Sequence, residues 1–98
     1  MAFTFLSRFR VKPESDARFV ELIGEMEAIA RHEPDTLEYR FYRLEEANMF
    51  AVYESFTSEQ GDAAHQANPA NTAIIAEMIE CMAGGYQREM LYDVAPAG

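Results

Sequence analysis

Glu54 and His65 are the two side chains whose types and spacing could do chemistry. Glu54 interrupts the run Met49–Phe56, in which Phe50, Val52, Glu54 and Phe56 share one face by period-two alternation. Its carboxylate therefore points where apolar side chains point. Loss of hydration disfavours the charged form, raises the pKa and yields a base usable near neutrality. The alternative for Glu54 is a structural carboxylate, paired with an arginine or capping backbone N–H groups. Eleven residues later His65 closes a short helical stretch. Its imidazole titrates in the range that proton transfer requires and could orient a phenolic oxygen, or it could pack at a helix end against Glu54 or a backbone carbonyl. In one pocket the two would form an acid/base pair.

Other residues qualify as walls or partners for such a pocket. Tyr39 and Tyr86 lie on strands and could stack on an aromatic ligand, or serve only as packing. Met78, Met82 and Met90 would make a soft, adaptable lining. Arg8, Arg40 and Arg88 are interior to strands and are expected to pair with strand acids such as Glu38 and Glu89, with Glu54 or a bound carboxylate or enolate as the other possibility. Cys81 is the only cysteine and reads as a small core residue, so neither an internal disulfide nor a cysteine metal cluster is available. A reducing, cytoplasmic home is the simplest setting. With two histidines in distant elements, no metal-ligand set is expected.

The elements that must position these residues follow from periodicity. Phe3 to Val11 alternates as a strand. A helix starts at Lys12–Asp16, with Pro13 and acids at its N-terminus, and carries Phe19, Leu22, Ile23, Met26, Ile29 and Ala30 in one stripe. His32–Asp35 stops it, because Pro34 restricts its predecessor and cannot donate. Residues 36–45 form a second strand with Leu37, Tyr39 and Phe41 on one side, and a polar turn at 46–48 makes a hairpin with Met49–Phe56. Thr57 and Gln60 have capping-box spacing for a short helix to about His65. Asn68 and Pro69 then cap a helix that directs Ile74, Ile75, Met78, Ile79 and Met82 inward and ends at Gly84-Gly85. Tyr86 to Val94 is the last strand, and 95–98 is a frayed tail. The order is β-α-β-β-α-β with a split second helix. That is a single α+β domain, ferredoxin-like, with helices on one face of a four-stranded antiparallel sheet.

Composition bounds the partners. The chain has 98 residues, 49% hydrophobic and 26% charged, with a formal net charge of −9. No apolar run is long enough to cross a membrane, and the N-terminal run carries arginines where a signal peptide would be apolar. The acidic balance repels nucleic-acid backbones and anionic membrane surfaces. Apolar side chains also recur on both sides of the strands: Met49, Ala51 and Tyr53 oppose Phe50, Val52 and Phe56. Adjacent Phe41 and Tyr42, and Met90 and Leu91, do the same. Helices roof only one face, so the other is expected to be covered by a second copy, sheet against sheet.

Residues 33–69 then show a resemblance. Glu33-Pro34 before a strand, Tyr39, Glu54 two residues before Phe56, and Ala64-His65 on the short helix resemble the antibiotic biosynthesis monooxygenase family. These are the dimeric α+β barrel proteins that include quinol monooxygenases, whose usual Gly and Trp are replaced here by Asp35 and Phe56. The resemblance implies a homodimer with one pocket per chain between sheet and helices. It also implies oxygenation of a quinol-like or polyketide-like aromatic by O₂ without metal or flavin, the electron-rich substrate supplying the electrons. Glu54 or His65 would assist deprotonation, and Tyr39, Val52, Phe56, Asp62, Met78 and Tyr86 would line the substrate site. Val52, Phe56 and Asp62 stand where anthrone-type members carry Asn, Trp and Tyr. A non-catalytic or isomerase-type small-molecule binder is thus a second reading, and a haem-binding relative using His65 a third.

Overall fold

Side chains alternating on three strands, and one apolar stripe per helix, fold into a two-layer sandwich. The computed structural model describes residues 2–94. The strands are β1 (Phe3–Arg10), β2 (Thr36–Arg43), β3 (Met49–Phe56) and β4 (Gln87–Leu91), and the helices α1 (Asp16–Ala30), α2 (Glu59–Ala67) and α3 (Pro69–Cys81). A single 3₁₀ turn over Pro13–Ser15 leads into α1. The sheet runs β2-β3-β1-β4 with every neighbouring pair antiparallel. This is the expected ferredoxin-like α+β order with its split second helical segment. The frayed tail expected at 95–98 lies outside the described residues.

The inner sheet face and the helical stripes make one core. Phe9, Val11, Phe50 and Val52 from the sheet meet Phe19, Leu22, Met26, Met78 and Cys81 from the helices. The rings of Phe9 and Phe50 stack with centroids 6.4 Å apart, and Phe19 tilts onto Phe50 at 5.1 Å. Cys81 is buried in this core. Asn68 caps α3 through its side chain, which accepts from the Ala70 N–H at 3.0 Å. Asn48 takes a positive φ of 62° in the β2–β3 turn, a conformation asparagine tolerates. At the sheet edge, the Phe41 N–H of β2 donates to Glu27 Oε2 at 2.9 Å, so α1 satisfies an edge group that another strand could otherwise seek.

Local expectations fail in four places, each for a tertiary reason. Leu37 does not share a face with Tyr39 and Phe41: a bulge between Thr36 and Glu38 makes it the extra residue of its strand, and it is 56% exposed. Thr57 does not cap α2. Ser58 is the N-cap residue, and the Thr57 hydroxyl donates instead to Asp35 Oδ1. Ile79 turns outward from α3, while Asn71 and Cys81 take buried positions. The last strand is short, so Tyr86 precedes it and Tyr92–Val94 follow it, and β1 ends at Arg10 with only a lone bridge from Val11 to Met82. No helix among the described residues is long and apolar enough to cross a membrane.

Candidate functional site

Register explains the state of Glu54. On the inner face it stands between Phe5 of β1 and Tyr39 of β2, its directly opposed neighbours. Among the described residues nothing hydrogen-bonds or ion-pairs its carboxyl. Burial pushes the pKa up to about 8, Asp62 and Glu33 add repulsion, and Arg88 opposes them. Below that pH the group is a carboxylic acid, able to donate a hydrogen bond.

Glu54 opens onto a cavity of about 110 Å³ between the sheet and helices α2 and α3. Its walls bring together Glu54, His65, Tyr39, Val52, Met78 and Tyr86, joined by Phe9, Phe41, Ile75 and Met82. Ser7, Gln66 and Arg88 add polar atoms, and the half-exposed Ile79 stands at the rim. Phe56 and Asp62 are not in this wall. Phe56 is fully buried, stacked on Phe5 and tilted against His65. Asp62 is buried because its carboxylate accepts from Arg88 Nη1 at 2.8 Å and from Gln66 Nε2 at 3.1 Å. Arg88 thus crosses from β4 to α2 rather than pairing along the strands with Glu38 or Glu89. Its guanidinium also lies 3.7 Å from the centroid of the Phe5 ring.

His65 is 4% exposed, with its ring 4.8 Å from Tyr39 centroid to centroid. Its partner is not Glu54 but Glu33: Nδ1 lies 2.8 Å from Glu33 Oε1. Glu33 also accepts from Thr36 Oγ1, Asn68 Nδ2 and Asn71 Nδ2 at 3.2, 2.9 and 3.1 Å. Burial acts to raise the Glu33 pKa, but hydrogen bonds from Asn68, His65 and Thr36 and the charge of His65 outweigh it, leaving the carboxyl below its ordinary value. Tyr39 moves the other way. Burial, and then the negative field of Glu54 and Glu33, hold its hydroxyl well above the usual range, so it stays neutral.

Two members of this set escaped sequence reasoning. Glu33 gave no signal beyond its place before Pro34, since its partners lie on other elements. Asn71 did give one: it stands three and seven residues before Ile74 and Met78, a polar group on an apolar stripe as Glu54 is on its strand.

Haem does not suit this arrangement. Ligation needs room for a porphyrin beside the imidazole, whereas His65 is packed against Tyr39 and Phe56 and the cavity it lines is smaller than the roughly 150 Å³ that holds one benzene. Among the described residues no three His, Cys, Asp or Glu side chains are grouped to hold a metal ion.

Comparison with known proteins agrees with the fold. The sequence profile of the antibiotic biosynthesis monooxygenase family matches residues 2–77. The Mycobacterium tuberculosis protein Rv0793 superposes with a TM-score of 0.86 at 17% identity, covering 100% of both chains. A structure described as an antibiotic biosynthesis monooxygenase gives 0.88 at 18% identity, over 97% of this chain and 100% of its own. A Caulobacter crescentus CB15 protein named for the same family gives 0.86 at 25% identity, over 96% of this chain and 91% of that one. No curated protein sequence matches the chain.

Proposed function

The chain belongs to the antibiotic biosynthesis monooxygenase family, and from that premise we propose that it is a monooxygenase acting with O₂ on a small quinol-like aromatic. One observation supports this reading above others: an unpartnered carboxyl, Glu54, and an oriented imidazole, His65, enter the same aromatic-walled cavity. At about 110 Å³, against the roughly 150 Å³ that holds one benzene, the cavity excludes the fused rings of a polyketide anthrone and takes a single ring only with a small outward shift of its flexible methionine walls. Tyr39, Phe41 and Tyr86 offer ring faces, and Met78 and Met82 offer soft contacts.

The reaction balances without a further electron source. A hydroquinone and O₂ become a hydroxyquinone and water. One oxygen atom bonds to a ring carbon in place of hydrogen, the other leaves as water, and all four electrons come from the ring. His65 takes the phenolic proton, which makes the ring electron-rich enough to meet O₂. Glu54, carrying its own proton, donates a hydrogen bond to the oxyanion that forms. An oxygen electrode with methylhydroquinone checks this. The expected result is one O₂ consumed per quinol, with one ¹⁸O atom from labelled O₂ in the quinone product. No uptake above the uncatalysed rate, or uptake yielding peroxide and unlabelled quinone, removes the assignment.

We further infer a homodimer through the outer sheet face. Leu6 and Tyr53 are only partly covered there, and Tyr42 and Leu91 are exposed, a patch that burial against a second copy would remove from water. Sedimentation velocity at micromolar concentration should give twice the chain mass for the wild type and a single chain for Tyr53→Glu. A wild type that sediments as one chain ends this inference.

A further inference from the structure

We propose that Glu33 is a positioning residue for His65, holding the imidazole as the tautomer with its proton on Nδ1 and its lone pair on Nε2. The site is built around a carboxylate. Each Glu33 oxygen accepts two hydrogen bonds, Oε1 from His65 Nδ1 and Thr36 Oγ1, Oε2 from Asn68 Nδ2 and Asn71 Nδ2. An ionised carboxylate only accepts, so at 2.8 Å the hydrogen between Glu33 and His65 belongs to the imidazole. The 3.3 Å approach of Asn71 Nδ2 to the same nitrogen does not reverse this, because that amide group has better acceptors in Glu33 Oε2 and the His65 carbonyl, the latter at 3.0 Å. Turning the Asn71 amide over would set its oxygen against both of those acceptors, so its orientation is fixed. Asn71, fully buried, keeps its Oδ1 without a hydrogen-bond partner among the described residues in this arrangement.

What remains free on the ring is Nε2, which has no hydrogen-bond partner among the described residues, while His65 forms part of the cavity wall. Glu33 has a second effect. When Nε2 accepts a proton, the resulting imidazolium meets a carboxylate already in place, so no group must move as charge develops. The other titratable or charged groups around the imidazole include Asp35 just before β2, Tyr39 of β2, Glu54 of β3, Asp62 on its own helix, and Arg88 and Tyr86 across the cavity. Of these, Asp62 and Arg88 satisfy each other, and Tyr39 stays neutral. The assignment of Nε2 as the proton acceptor rests on the monooxygenase reading; the tautomer rests on the hydrogen bonds alone.

The experiment separates the two. ¹⁵N NMR of the histidine rings in the wild-type chain at pH 8 should show His65 protonated on Nδ1 and bare on Nε2. A ring protonated on Nε2, or on both nitrogens, overturns the proposal whether or not any substrate is turned over. Glu33→Gln should shift the ring toward the Nε2–H tautomer, since the new amide can donate to Nδ1. With a quinol that the wild type oxygenates, the same variant should lose about 10²–10⁴-fold in kcat with KM within about threefold. Unchanged kcat in a folded Glu33→Gln protein overturns the positioning role. Absence of turnover by the wild type overturns the enzymatic reading and leaves the tautomer to be decided by the spectrum.

Discussion

Glu54→Gln is expected to raise the urea midpoint of unfolding at pH 8.5 and to leave it nearly unchanged at pH 5. Between Phe5 and Tyr39 the Glu54 carboxyl is held above its ordinary value of 4.5, at about 8, by burial first and by Asp62 second. The sign follows from proton binding. Below pH 4.5 the group is protonated in both folded and unfolded chains and costs little. From 4.5 to 8 the unfolded chain releases the proton while the folded chain keeps it, so stability falls as pH rises through that window. At about 1.4 kcal/mol per pH unit, and allowing for partial exposure of the side chain, the loss is on the order of 3 kcal/mol by pH 8.5. Glutamine has the same shape and no proton to lose, so its curve should lack this descent. Parallel pH–stability curves for the two proteins would show that Glu54 titrates as it does in water. Glu33 governs the opposite limb. Its carboxyl lies below the ordinary value, so the stability it contributes is present above that value and declines as the pH falls through its folded pKa.

The same two carboxylates show what could be read from sequence. Glu54 was legible because period-two alternation is a strong local constraint: a charged residue between Val52 and Phe56 stands on the apolar face whatever the rest of the chain does. The order of elements along the chain, the stripe of α1 and the Asn68-Pro69 helix start were legible for the same local reason. Glu33 was not, because its meaning lies in His65, 32 residues away, and in asparagines on another helix. The Arg88–Asp62 pair spans 26 residues and likewise depends on how α2 docks over β4. Leu37 is a different kind of failure. Alternation predicted an inward side chain, and a single inserted residue in the ladder reversed it. The expected turn of Ile79 toward the core failed because the buried stripe of α3 is carried by Asn71, Met78 and Cys81 instead. A stripe read by hydrophobicity alone cannot find a buried amide.

Those non-local contacts also fix the second large effect, which is kinetic. His65→Gln is expected to lower kcat for a quinol substrate by about 10²–10⁴-fold, the range a positioned general base supplies, with little change in KM. Glutamine retains an N–H with which to satisfy Glu33, so the variant should fold, yet it offers no group that can accept a phenolic proton near neutrality. Glu54→Gln should be milder, about tenfold, because the amide still donates to the developing oxyanion. The two should also differ in pH dependence. Wild-type kcat should fall above pH 8 as Glu54 loses the proton it donates, and Glu54→Gln should abolish that descent without touching the acid side of the profile. His65→Gln should keep the alkaline descent, since Glu54 is unchanged in it. If His65→Gln turns substrate over within threefold of the wild type, the imidazole is only packed between Tyr39 and Phe56. If the alkaline descent survives Glu54→Gln, some other group supplies it, and the division of labour between an acid carboxyl and a carboxylate-backed imidazole is wrong.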